Sequence, residues 1–139
     1  MKNFKILMLA SAFLLIAACR NTTPSEAVAT PSEVVTTVIE ASKKLDFETI
    51  KKHLANKRIA RLESQEKQMN ENPDYAADFI FMVKDAKIEI ISETISEDGN
   101  FAIVAAKIYQ VKGDDDKPFE KEFNLIKENG EWKYNSNPM

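Results

Sequence analysis

The sequence predicts an α+β domain in which N-terminal helices pack on a curved, four-stranded antiparallel meander. Residues 31–83 carry apolar side chains at spacings of three and four, which is typical of amphipathic helices. Residues 87–134 contain four β-prone runs separated by short turn sequences, and connections this short force neighbouring strands to be antiparallel. Helices followed by such a sheet define the α+β class. With 139 residues, the chain has room for one domain of this kind.

Three helices and a fourth, ambiguous segment are predicted before the sheet. The first helix begins at Ser32, whose hydroxyl can satisfy a backbone N–H at the helix N-terminus, and the second begins at Asp46 for the same reason. The third covers residues 57–70 and is polar enough to lie on the surface. Residues 75–83, which follow Pro73, form either a short apolar helix or the start of the sheet.

The strands are predicted at 87–95, 101–111, 119–127 and 132–134. Turns at Asp98-Gly99, at residues 113–117 and at Asn129-Gly130 connect them. The second strand is apolar on both of its faces, so each face needs cover. Either the sheet curls around a core while another surface docks on its outer side, or the protein forms a homodimer through that outer face.

Residues 1–18 have the composition of a secretory signal peptide. Lys2 and Lys5 form a basic head, and the uncharged run that follows is 13 residues long, ending in the small Ala17 and Ala18. A membrane-spanning helix needs about 20 apolar residues, so this run is too short to span. We therefore predict that residues 1–18 target the chain for export.

The tetrapeptide Ile16-Ala17-Ala18-Cys19 resembles the lipobox of bacterial lipoproteins, Leu-Ala/Ser-Gly/Ala-Cys. The resemblance implies cleavage before Cys19 and attachment of lipid to its sulfur, which would anchor the protein to a membrane. Residues 19–30 then form a tether, and residues 31–139 form the domain. It also implies a cell-envelope location, facing the periplasm from the outer membrane in a Gram-negative cell, because Arg20 rather than Asp follows the cysteine.

The composition excludes several classes of function. The formal net charge is −3, which argues against a nucleic-acid-binding protein. One cysteine and one histidine cannot form an internal disulfide or a zinc cluster, and no cofactor is predicted. Three consecutive acids at Asp114–Asp116 splay apart and predict a charged loop, not a calcium site. Five basic residues within 51–61 fit either a phosphate or lipid headgroup, or a solvated helix face balanced by Glu63 and Glu66.

Two parts of the sequence resemble small NTF2-like lipoproteins of the DUF4878 type. Residues 31–35 and 43–48, Pro-Ser-Glu-Val-Val and Lys-Lys-Leu-Asp-Phe-Glu, are similar to their first two helices. Residues 125–134, Leu-Ile-Lys-Glu-Asn-Gly-Glu-Trp-Lys-Tyr, are similar to their last hairpin with its Gly-x-Trp-Lys signature. The resemblance implies a cone-shaped fold with a pocket between helices and sheet, and it implies no particular activity.

Candidate site residues follow from this cone. The predicted pocket-lining residues are Tyr75, Asp78, Tyr109, Phe123 and Trp132. His53 lies beside the buried stripe of its helix and has no visible partner, so we interpret it as a boundary residue, not a general base.

The function predicted from these features is a non-enzymatic binding or interaction module for a small hydrophobic ligand or an envelope protein. The alternative is an NTF2-like enzyme of the isomerase or dehydratase type, acting on a small hydrophobic compound. A buried, desolvated acid with a polar partner inside the pocket would favour the enzyme. An apolar pocket without such an acid, beside an exposed apolar sheet face, would favour the binding module.

Overall fold

The computed structural model describes residues 28–109 and 117–136. Within them four helices precede four strands, in the order α1 (Pro31–Lys43), α2 (Phe47–His53), α3 (Asn56–Glu71), α4 (Pro73–Val83), β1 (Lys87–Ile95), β2 (Phe101–Tyr109), β3 (Phe119–Glu128) and β4 (Glu131–Tyr134). The strands form one antiparallel sheet in the order β1-β2-β3-β4. The predicted α+β class and the meander are thereby confirmed. The predicted signal peptide, Cys19, most of the tether and the Asp114–Asp116 loop lie outside the described residues.

The first helix begins earlier than predicted. Thr30 is its N-cap: the Thr30 Oγ1 accepts a hydrogen bond from the Glu33 N–H at 3.3 Å, and Glu33 Oε2 accepts one from the Thr30 N–H at 2.7 Å. Pro31 takes the first helical position, where its missing N–H costs nothing. The prediction of Ser32 as the cap was wrong because this reciprocal capping box competes with it. Ser32 instead donates its backbone N–H to Glu93 of β1 at 2.9 Å.

The other helix starts follow side-chain capping where the sequence offers it. The predicted cap at Asp46 is confirmed, since its Oδ1 accepts the Thr49 N–H at 3.1 Å. The ambiguous segment is a helix: Asn72 caps it by accepting the Tyr75 N–H at 3.2 Å, and Pro73 occupies its first turn. Pro73 therefore separates α3 from α4 and does not lead into the sheet.

The core lies between α1, α2 and the inner face of the sheet. Even-numbered residues of β2 and odd-numbered residues of β3 face inward, where Val104 pairs with Phe123. The Phe123 ring lies 5.8 Å from that of Tyr134, centroid to centroid. The main cluster of buried side chains also includes Val34, Val35, Val38, Ile39, Ile50, Leu54, Leu62, Ile108, Leu125 and Trp132.

The last strand connects the sheet to the helices. Leu54, at the end of α2, forms an isolated parallel bridge with Tyr134, and the Ala55 N–H donates to the Tyr134 carbonyl at 2.9 Å. β4 is short and pairs only with residues 125–128 of β3. Among the described strands, residues 119–123 of β3 therefore have β2 as their single neighbour and form a free edge.

The outer face of the sheet is apolar around β2 and carries no helix of the described chain. Phe101 is 58% exposed and Ile103 is 43% exposed, whereas the alternating residues of the same strand are buried. Ile91, the extra residue of a β-bulge in β1, is also exposed. The predicted apolarity of both faces of β2 is thus present, with cover on the inner face.

No helix in the described ranges is both long enough and apolar enough to cross a membrane.

Candidate functional site

The centre of the domain is packed. A small cavity among the four helices has a volume of about 10 Å³. Its walls are Ser42, Leu45, Phe47, Ile50, Leu62, Gln65, Met69 and Phe79. A space of this size holds no more than one water molecule. The openings of ligand size in the described residues lie at the surface.

One such opening lies between the α3–α4 hairpin and the free edge of β3. Its volume is about 410 Å³, within the ~300–1,000 Å³ typical of small-molecule sites. We call it the α4–β3 cleft, and its lining residues are Gln65, Tyr75, Phe79, Met82, Val83, Phe119 and Lys121. Five of these side chains are apolar or aromatic, and one carries a positive charge.

Lys121 is the charged residue of the cleft. It occupies an inward-facing position of β3 between Phe119 and Phe123, and it is half-buried. Its Nζ lies 5.3 Å from the centroid of the Phe123 ring, a cation–π contact. No carboxylate within residues 28–109 or 117–136 forms an ion pair with it, and burial lowers the pKa of its amine.

The rim of the α4–β3 cleft exposes large apolar side chains. Tyr75, Met82 and Phe119 line the cleft and are each exposed by 40–45%. A polar groove continues from it, sharing Gln65 and Tyr75 and adding Arg61, Ser64 and Gln68. The opening therefore combines an apolar compartment, one inward cation and a polar exit to solvent.

A second opening surrounds His53. It has a volume of about 390 Å³ and is lined by Val28, Ala29, Val34, Lys52, His53, Glu131 and Trp132. Burial, with Lys133 and Lys52 nearby, lowers the pKa of His53 below its ordinary value. The cation of Lys133 is already held by Glu131, whose Oε2 accepts its Nζ–H at 2.7 Å. No hydrogen bond from a described group orients the imidazole. Among the described residues, His53 therefore lacks the orienting partner that a general base needs.

The backbone is similar to those of other solved proteins. A Campylobacter jejuni protein named as an NTF2-like transpeptidase superposes with a TM-score of 0.50 and 11% sequence identity, over 78% of this chain and 100% of that chain. The intermembrane space region of the chloroplast protein ARC6 gives a TM-score of 0.42 and 12% identity, over 78% of this chain and 95% of that one. No family model and no curated protein matches the chain.

The domain has an NTF2-like fold. At such low identities the similarity establishes the architecture and carries no activity with it.

The five predicted pocket residues lie in different parts of the NTF2-like domain. Tyr75 lines the α4–β3 cleft, and Asp78 is exposed on α4. The Tyr109 hydroxyl donates to Glu89 at 2.8 Å, a bond that raises the pKa of the phenol. Phe123 is fully buried in the core, and Trp132 is buried with one side on the His53 opening. These residues do not line one common cavity because the centre of the cone is filled.

The residue that sequence reasoning missed is Lys121. Its signal was the interruption of the apolar alternation in β3, where a lysine stands at an inward position between Phe119 and Phe123. The sequence pattern showed this interruption but did not show that a cleft opens beside it.

The described part of the NTF2-like domain buries no acidic side chain. The buried polar side chains there are Ser42 and Ser136, together with the phenol of Tyr134, and no Asp or Glu is buried. The described residues also contain no group of three or more His, Cys, Asp or Glu side chains that could hold a metal ion.

Proposed function

We propose that this protein is a lipid-anchored, non-enzymatic binding module of the cell envelope whose NTF2-like domain binds a small ligand in the α4–β3 cleft. The observation that carries the proposal is the cleft itself: an apolar, surface-open compartment beside a half-buried lysine that lacks an ion-pair partner within the described residues. Exposed Tyr, Met and Phe side chains are the types that supply contact area in binding sites.

The anchor and the compartment belong to the same proposal. The tetrapeptide ending at Cys19 and the short apolar run before it support lipidation and export. Arg20 supports sorting to the outer membrane of a Gram-negative cell. The similarity of residues 31–35, 43–48 and 125–134 to DUF4878-type lipoproteins supports membership of that group.

Catalysis by the isomerase or dehydratase type of mechanism would require a desolvated acid with a polar partner facing the ligand. The described residues place no buried carboxylate at the α4–β3 cleft, and the apolar outer face of the sheet accompanies it. This combination favours a binding module. Homodimerisation through the exposed Phe101 and Ile103 stays a prediction, to be checked by the mass of the protein in solution.

The binding function is tested by native mass spectrometry of the protein purified from its own membrane. Met82→Trp fills the α4–β3 cleft from its rim, whereas Phe81→Trp places the same indole at the neighbouring, 60% exposed position that does not line the cleft. We expect a small-molecule adduct on the wild type and on Phe81→Trp, and its loss from Met82→Trp. An adduct that persists on Met82→Trp, or none on the wild type, contradicts the proposal.

A further inference from the structure

We infer that the ligand of the α4–β3 cleft is a small anionic amphiphile, a single apolar chain or ring with a carboxylate head that Lys121 holds. The inference rests on the binding function proposed above and adds the chemical class of the ligand. It follows from three properties of the cleft: its apolar walls, its inward cation and its size.

The walls select an apolar body. Phe79 and Val83 are buried on the helical side, and Phe119 lies opposite them on β3. Met82 at the rim has a flexible thioether that adapts to different apolar shapes. Apolar walls in contact with water are unfavourable. Binding of an apolar chain or ring removes this surface from water and is therefore favoured.

Lys121 selects the charge of the head. A half-buried ammonium loses part of its hydration. No carboxylate among the described residues forms an ion pair that would compensate for this loss. A ligand carboxylate within hydrogen-bond reach of Nζ would supply an ion-pair partner through a charge-assisted bond. Gln65 and Tyr75 add polar atoms to the walls of the same cleft. A cationic ligand would instead add a second positive charge to an already desolvated one.

The size of the cleft favours a ligand with one chain or ring. About 410 Å³ lies in the lower part of the range of small-molecule sites, below what a two-chain lipid requires. The polar groove with Ser64 and Gln68 gives the hydrated part of the ligand a path to solvent. A single-chain carboxylate therefore satisfies the walls, the lysine and the volume together.

Methionine methyl NMR tests this inference in the full chain carrying Cys19→Ser, which removes the thiol and leaves the domain intact. Met82 lines the cleft, and the buried Met69 reports on the fold. The probes are decanoate, decanol, decylamine and acetate, with decanoate and decylamine below their micelle-forming concentrations and decanol below its solubility limit. We expect decanoate to shift the Met82 methyl at the lowest concentration, decanol to bind at least roughly tenfold more weakly, and acetate and decylamine to leave it unchanged.

Two variants separate charge from shape. Lys121→Met keeps the apolar stem and should bring the decanoate affinity down to that of decanol, whereas Lys121→Arg should retain the preference for decanoate. Met69 must keep its shift in every variant, which shows that the fold is intact.

The remaining outcomes overturn the inference in distinguishable ways. If decanoate and decanol bind equally well, the ligand class is wrong and the binding function stands; Lys121 is then an inward charge that protects the free edge of β3. If acetate binds as tightly as decanoate, the site recognises an anion alone. If no apolar probe shifts Met82, the cleft is not a binding site and the proposed function fails with the inference.

Discussion

At the scale of single residues, Lys121 occupies a position that conflicts with simple burial rules. Its neighbours along the inner face of β3 are apolar, and burial lowers the pKa of its amine. A charge at such a position costs stability unless it has a partner. Residues that serve binding often carry a cost of this kind, because the site is optimised for the complex and not for the free protein.

Replacing Lys121 by Met should therefore stabilise the protein without ligand. We expect Lys121→Met to raise the free energy of unfolding by about 0.5–1 kcal/mol at neutral pH, because the stem still packs and the partly desolvated charge is gone. Urea denaturation measures this difference. Lys87→Met, at an exposed position of β1, is the matched control and should change little. A loss of stability in Lys121→Met would show that the ammonium itself supports the fold.

His53 should make stability depend on pH below neutrality. Its pKa is lowered by burial first and then by Lys133 and Lys52. As the pH falls below about 6.5, the unfolded chain binds a proton at His53 before the folded protein does, so the free energy of unfolding decreases. Above that pH both states are neutral and the effect vanishes.

We therefore expect His53→Gln to melt like the wild type near pH 7.5 and to lose less stability than the wild type near pH 5. Thermal melts at both values check this. The carboxylates of Asp46, Asp98 and Glu131 have pKa values lowered chiefly by hydrogen bonds from Thr49, Ser96 and Lys133, and both proteins contain all three. An identical pH dependence in both proteins would contradict the assignment to His53.

At the scale of secondary-structure elements, β4 contributes more than its length suggests. Its Trp132 and Tyr134 face the helices, and Tyr134 also connects to the segment that follows α2. The Lys127 Nζ lies 5.1 Å from the centroid of the Trp132 ring, a cation–π contact. Four residues of strand thus hold the sheet against α1 and α2.

Truncating Trp132 should leave the domain largely unfolded. The side chain is 7% exposed, and replacing a buried Trp by Ala costs about 3–5 kcal/mol, comparable to the whole stability of many small domains. Circular dichroism and the thermal melt of Trp132→Ala measure the loss. Tyr75→Ala, which removes an aromatic ring that is 40% exposed, should retain the fold. A folded Trp132→Ala protein would show that Trp132 belongs to the His53 opening and not to the core.

The elements were more predictable from the sequence than the site. Alternation of apolar residues identified the strands, and the short turns at Asp98-Gly99 and Asn129-Gly130 determined their antiparallel order. The start of α1 was misplaced by two residues because Pro31 and Glu33 make Thr30 the better cap. These are local effects, which a sequence pattern can report.

The cleft was not predictable in the same way. Its walls come from α3, α4 and β3, and its existence depends on how far the α3–α4 hairpin stands from the sheet. Periodicity assigns a side chain to a face, and it does not state whether the opposite face is filled. Periodicity correctly placed Phe123 on the inner face of β3, which led us to expect it at a pocket. The opposite face is filled, so Phe123 is buried in the core.

At the scale of the whole molecule, the proposed anchor at Cys19 can be tested directly. Metabolic labelling with a palmitate analogue should tag the protein, because two or more acyl chains give stable anchoring and the thiol is their attachment point. Cys19→Ser should abolish the label, which gel fluorescence measures. Full labelling of the Cys19→Ser protein would exclude the anchor, and recovery of the wild type from the inner membrane alone would contradict the outer-membrane assignment.

The hydrogen bond from the Ala55 N–H to the Tyr134 carbonyl joins the helices to the last strand, so this contact requires nearly the whole chain. The α3–α4 hairpin and the successive sheet hairpins are local in sequence and can form as the chain emerges. The core between α1, α2 and the sheet is complete only when Trp132 and Tyr134 have been synthesised, because both side chains belong to it. Until then the N-terminal helices cannot bury their apolar faces on the complete sheet. An incomplete chain is therefore kept from its final state, a property that would suit the export we propose from residues 1–18.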